Sequence, residues 1–81
     1  MNTYATIQPK GSGDWLRVAF RGYFAAQDAA RELVSEGAAC VVIVDQTDND
    51  RLWAILRASH WDCGSGRWVY DEYTPSRARL S

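Results

Sequence analysis

The segment His60-Trp61-Asp62-Cys63 sets the chain's single histidine three residues before one of its two cysteines. An imidazole base beside a thiol is what cysteine nucleophiles need. In a strand, however, residues three apart point to opposite faces, and no third group stands ready to orient the imidazole. The expectation is no enzyme. A zinc site would combine Cys40, Cys63 and His60 with a carboxylate, but the paired Cys-x2-Cys spacing of structural zinc is missing. Gly11-Ser12-Gly13 precedes a strand and lacks the Lys-Ser/Thr of a phosphate loop, so it reads as a turn, as does Gly64-Ser65-Gly66. Asp45, Asp48 and Asp50 suggest a calcium loop, yet the positions that require Gly and Glu hold Asp50 and Leu56. These acids read instead as a solvated loop or as an acidic protrusion that docks on a basic surface. No cofactor or metal is expected.

A second constellation is built of tryptophan and arginine: Trp15, Arg17, Arg21, Trp53, Arg57 and Trp61. Both residue types are enriched where protein interfaces concentrate their binding energy, because large planar groups bury much area at small entropic cost. The same pair can stack nucleobases and contact phosphates, so a small single-stranded nucleic-acid-binding module is the alternative. The bland reading is that each tryptophan packs against an arginine stem or the sheet rim to complete a small core.

The chain that must position these groups has 81 residues, 47% hydrophobic and 23% charged, with a formal net charge of -1. That composition excludes intrinsic disorder, and the length supports one domain over residues 1–81. The longest apolar run, residues 38–44, is far short of the about 20 residues of a membrane span. The first residues lack the basic and apolar regions of a secretory signal, which makes the cytoplasm the expected compartment. Two cysteines are too few for a disulfide framework and are expected reduced. The near-neutral balance argues against a dedicated DNA binder and against a whole-surface DNA mimic.

Residues 4–8 alternate as a short first strand, and the turn formers of 9–14 follow. Residues 15–21 alternate strictly, Leu16, Val18 and Phe20 against Trp15, Arg17, Ala19 and Arg21. From Phe24 or Ala25 the spacing of Ala26, Ala29, Ala30, Leu33 and Val34 predicts a helix whose stop is Gly37; no N-cap side chain stands before it. Residues 40–44 are apolar on both sides of any pleat and predict a central strand. Residues 51–59, with an extension to Trp61 allowed by the pattern, and 67–73 predict two further strands, with a polar tail at 75–81 that is expected to fray. The order β-β-α-β-β-β predicts an α+β two-layer sandwich: a mostly antiparallel sheet of about four to five strands with one helix packed on one face. The helix is expected to cover Leu16, Val18, Phe20, Leu52, Ala54 and Leu56. The open face is then left to Trp15, Arg17, Arg21, Trp53, Arg57 and Trp61, an apolar surface that a partner or a second copy must cover.

The length, the Met1-Asn2-Thr3-Tyr4 opening, the Ala-rich helix over 25–36 and the closing tryptophan hairpin with Leu52-Trp53-Ala54 and Arg67-Trp68-Val69 resemble small phage-encoded anti-CRISPR proteins directed at type I systems. The resemblance covers residues 1–73 as a layout and contains no diagnostic motif, so no functional residue carries over by position. It implies a non-enzymatic inhibitor, in the host bacterial cytoplasm, that binds a CRISPR RNA-guided surveillance complex or its recruited nuclease. Such an inhibitor blocks target DNA binding or cleavage by occlusion. The expected partner is thus a CRISPR-associated protein complex, with no membrane and no direct nucleic-acid contact, and a homodimer is compatible. Whole-surface acidity is absent here; the local acidity is that of Asp45, Asp48 and Asp50.

Overall fold

Alternating side chains and dense turn residues produce a first hairpin, β1 (Thr3–Pro9) and β2 (Trp15–Arg21). The chain then leaves the sheet for α1 (Tyr23–Ser35) and returns as β3 (Cys40–Asp45). A single 3-10 turn, Gln46–Asp48, leads into β4 (Arg51–Asp62) and β5 (Arg67–Tyr73). The computed structural model describes residues 2–10 and 13–75; the expected frayed tail therefore lies, from residue 76 on, outside the described residues, as do Gly11 and Ser12. The five strands form one antiparallel sheet in the order β2-β1-β3-β4-β5, with the helix between the second and third strands in sequence. The architecture is the α+β layout expected. The shortest dimension, 20 Å, has room for one sheet and one helix layer, and among the described residues no layer lies on the second face of the sheet.

The helix begins at a glycine because of its backbone. Gly22 has φ 91° and ψ 155°, a region open essentially to glycine alone, and it provides no side-chain cap. Its N–H donates to the Asn2 carbonyl at 3.1 Å, which ties the turn to the start of β1. Gly22→Ala is expected to destabilise the fold by about 1–3 kcal/mol although no atom stands within 4 Å of the added methyl, since the cost is conformational; urea denaturation measures it. The helix ends in a Schellman motif. Gly37 donates to the Val34 carbonyl at 3.1 Å and Ala38 to the Leu33 carbonyl at 3.0 Å, with Gly37 at φ 125°.

Ala26, Ala30 and Val34 form the buried stripe of α1, meeting Tyr4, Val41, Ile43, Ala54 and Leu56 of the sheet. Each larger member removes enough apolar area from water to contribute about 1.5–3 kcal/mol. Gln27 and Ser35, expected outside the stripe, are also buried: Gln27 donates to Glu72 at 3.3 Å, and the Ser35 hydroxyl donates to the Glu32 carbonyl at 2.9 Å. Arg31 grips the same Glu72 with two bonds, 3.0 and 3.3 Å, fastening α1 to β5.

The expected division of the sheet faces fails in β4. The β3–β4 register passes from Ile43↔Ala54 to Val44↔Leu52, so Trp53 is an extra residue at a β-bulge. The bulge moves Leu52 off the helix side, to the face it shares with Val44, and turns Trp53 in against the core. There the Trp53 ring lies 5.6 Å from Tyr4 and 5.2 Å from Tyr23, both edge-on, in an aromatic cluster under the start of α1. A second register shift, between Ala58 and His60, sets Trp61 opposite Trp68, the rings 5.9 Å apart. By alternation Trp68 shares its face with Tyr70, which packs on the core, so Trp61 also departs from the open face, though it is 50% exposed. Leu16 and Val18 remain on the helix side but are only partly covered there, at 39% exposure each.

Candidate interaction surface

Antiparallel partners share a face, so the register defines the open surface row by row. One row crosses all five strands: Arg17, Ile7, Val42, Ile55 and Tyr73. Beside it lie Ala19, Ala5, Val44 and Leu52, and on the other side Cys40, Arg57 and Asp71. Trp15 stands at one corner, opposite Pro9, and is 65% exposed; Arg21 stands at another, opposite Thr3. The centre is β-branched and aliphatic because β1, β3 and β4 are flanked by strands on both sides. The rim carries Arg17, Arg21 and Arg57, with Asp50 bonded to the first and Asp71 opposite the last. Between β4 and β5 the face holds a shallow recess of about 320 Å³, lined by Ile55, Arg57, Asp71, Glu72 and Tyr73.

Of the expected tryptophan and arginine set, the fold brings Trp15, Arg17, Arg21 and Arg57 to this face and removes Trp53 and Trp61. Leu52, Tyr73 and Val42 join this surface beyond the expected set, while Ile55 falls on it by the same alternation that places Arg57 there. Residues 67–73 run apolar at Trp68, Val69 and Tyr70 and acidic at Asp71 and Glu72, so no local alternation placed Tyr73 on a face. Nothing in 51–59 signalled a bulge, because Trp53 and Ala54 are both apolar and fit either phase.

The three acids do not form a free acidic protrusion. Asp45 is buried; its carboxylate accepts from the Thr47 N–H at 3.0 Å and from Asn2 Nδ2 at 3.3 Å, capping the 3-10 turn. Asp50 accepts two bonds from Arg17, at 2.8 and 3.2 Å, across the open face. Asp48 lies 3.5 Å from Arg51, the loosest of the three contacts. The loop is shaped by backbone as well, since Asn49 and Asp50 both adopt positive φ, 51° and 57°. The Arg17–Asp50 bridge was not foreseen, since its partners are joined only by the order of the strands.

Hydrogen bonding from the Arg17 guanidinium holds the Asp50 carboxyl below its ordinary value of 3.8. The Ser65 hydroxyl, then the Gly64 N–H, does the same for Asp62 in the β4–β5 turn. A carboxyl whose value is depressed on folding contributes stability above its unfolded value and loses it as pH falls through the folded value. Thermal midpoints are therefore expected to fall below about pH 4, less steeply in Asp50→Asn and Asp62→Asn than in the parent chain. Equal slopes in all three would show that neither carboxylate contributes.

His60 is exposed and its Nδ1 lies 3.2 Å from the Ser59 hydroxyl; Cys63 is exposed in the turn beyond. Among the described residues no three His, Cys, Asp or Glu side chains are grouped to hold a metal ion, and no helix is long and apolar enough to cross a membrane. The fold and surface together define a class, a two-layer α+β protein in which no described element packs on the second, largely apolar sheet face. Comparison with family models, with curated proteins and with solved structures finds no match to this chain.

Proposed function

We propose that this protein is a non-enzymatic binding protein that docks through its open sheet face. The observation that carries this reading is the row Arg17, Ile7, Val42, Ile55 and Tyr73, apolar at its centre and flanked by Trp15, Arg21 and Arg57. An apolar core inside a polar rim is the anatomy of a protein interface. Nucleic-acid binding is less favoured because Arg17 is committed to Asp50 and Arg57 faces Asp71 across the strand pair. The target class we propose is a type I CRISPR surveillance complex or its recruited nuclease in the bacterial cytoplasm. The support for that target is the layout's resemblance to small anti-CRISPR proteins. The protein acts there by occlusion, without turnover or cofactor.

Phage plaquing on hosts that carry active type I systems of several subtypes, with and without the expressed protein, tests the target. Restored plaquing in one subtype is the expected result. No restoration in any subtype would refute the target while leaving the binding face to be tested by fluorescence titration with single strands, where salt-sensitive binding would favour the nucleic-acid reading.

A further inference from the structure

β2 is an edge strand, paired to β1 over all seven residues without a register shift and exposed along almost its whole length. The orientation of its backbone follows from the ends of the hairpin. Lys10 donates to the Asp14 carbonyl at 2.9 Å and Gly22 to the Asn2 carbonyl at 3.1 Å, while Pro9, opposite Trp15, has no N–H. The even-numbered residues of β2 therefore bond to β1, and Trp15, Arg17, Ala19 and Arg21 turn their N–H and C=O groups outward. Natural edges are blunted by charged side chains, above all lysine, by prolines or by bulges. β5, the opposite edge, carries Asp71 and Glu72 and lies against a bulged β4. β2 carries two arginines, Arg17 and Arg21, but no lysine, acid, proline or bulge.

We propose that β2 pairs with β2 of a second copy of this chain, antiparallel, about a two-fold axis through Val18. Three axis positions keep most of the strand paired, and charge decides between them. An axis through Arg17 sets it against the partner's Arg17, and an axis through Ala19 sets Arg17 against the partner's Arg21. The axis through Val18 opposes no like charges. It sets Arg17 against the partner's Ala19 and Trp15 against the partner's Arg21, a cation–π pair. These are the positions whose backbone groups point outward, so they are the hydrogen-bonded pairs. The intervening pairs, Val18 with the partner's Val18 and Leu16 with the partner's Phe20, are apolar and fall where opposed side chains approach most closely. Leu16 and Val18, each 39% exposed on the helix side, thereby gain cover.

The axis runs perpendicular to the sheet, so the dimer is one continuous sheet with both helices on one side and both open faces on the other. This inference does not depend on the identity of the target.

Sedimentation equilibrium over a concentration series up to about 1 mM tests it. The parent chain is expected to shift from 9.1 kDa to twice that mass. Val18→Lys and Val18→Glu each place like charges on the axis and are expected to remain monomeric alone, whereas their equimolar mixture forms a heterodimer. Ala19→Pro, which removes an outward N–H and no bond to β1, is expected to be monomeric with an unchanged far-ultraviolet spectrum. A parent chain that is monomeric throughout would overturn the proposal, as would dimers of Val18→Lys alone or of Ala19→Pro, or a mixture that stays monomeric.

Discussion

Trp53→Ala is expected to destabilise the fold by about 3 kcal/mol, a large part of the ~5–15 kcal/mol that holds a small domain together. The indole lies 5.6 Å from the Tyr4 ring and 5.2 Å from the Tyr23 ring, and Tyr4 is itself in the buried core. Truncation leaves a void beneath the first turn of α1 that these rings can only partly fill. For a chain of this length about 3 kcal/mol lowers the thermal midpoint by roughly 12–24 °C, which calorimetry resolves easily. Trp53→Phe separates the contributions. The indole Nε1 is buried without a hydrogen-bond partner among the described residues, so phenylalanine removes an unpaired donor while retaining a ring in the cluster. Its cost is expected near 1 kcal/mol. A Trp53→Ala variant as stable as the parent would show that Trp53 is not part of the core.

Trp15→Ala is expected to have the opposite profile. Trp15 is 65% exposed at the end of an edge strand, so its removal leaves the thermal midpoint within about 2 °C of the parent. On the proposed face it is the largest exposed aromatic, and its loss should weaken partner binding by about 2 kcal/mol or more, roughly 30-fold in Kd. The measurement is affinity for the purified surveillance complex of whichever subtype shows restored plaquing. Because Trp15 also lies in the β2 edge, Val18→Lys serves as the control: it keeps the open face and blocks the edge. Binding lost in Trp15→Ala and kept in Val18→Lys assigns the loss to the face. Binding kept in Trp15→Ala removes this corner from the interface.

The two tryptophans separate because local pattern and long-range register are different kinds of information. The strand over 15–21 was legible because its alternation is strict and its partner is the adjacent hairpin arm, so nothing distant can change its phase. The helix was legible from the spacing of Ala26, Ala30 and Val34, and its end from Gly37, since both depend on residues within one or two turns. The central place of β3 followed from five consecutive apolar residues, which only a strand covered on both sides tolerates.

Other features came from long-range pairing. Strand order places β1 between β2 and β3, a pairing that no strand's own residues announce. The bulge at Trp53 depends on how β4 meets β3, and it exchanges Trp53 for Leu52 on the open face because the side-chain period of a strand is two. The same logic carries Trp61 to Trp68. The Arg17–Asp50 bridge and the burial of Asp45 depend on the approach of the β3–β4 loop to β1 and β2, which turns an apparent acidic protrusion into structural contacts. Local pattern set the strands and the helix, and their phase up to the first bulge. Which residues share a surface was settled by pairing, because a single inserted residue inverts every face beyond it.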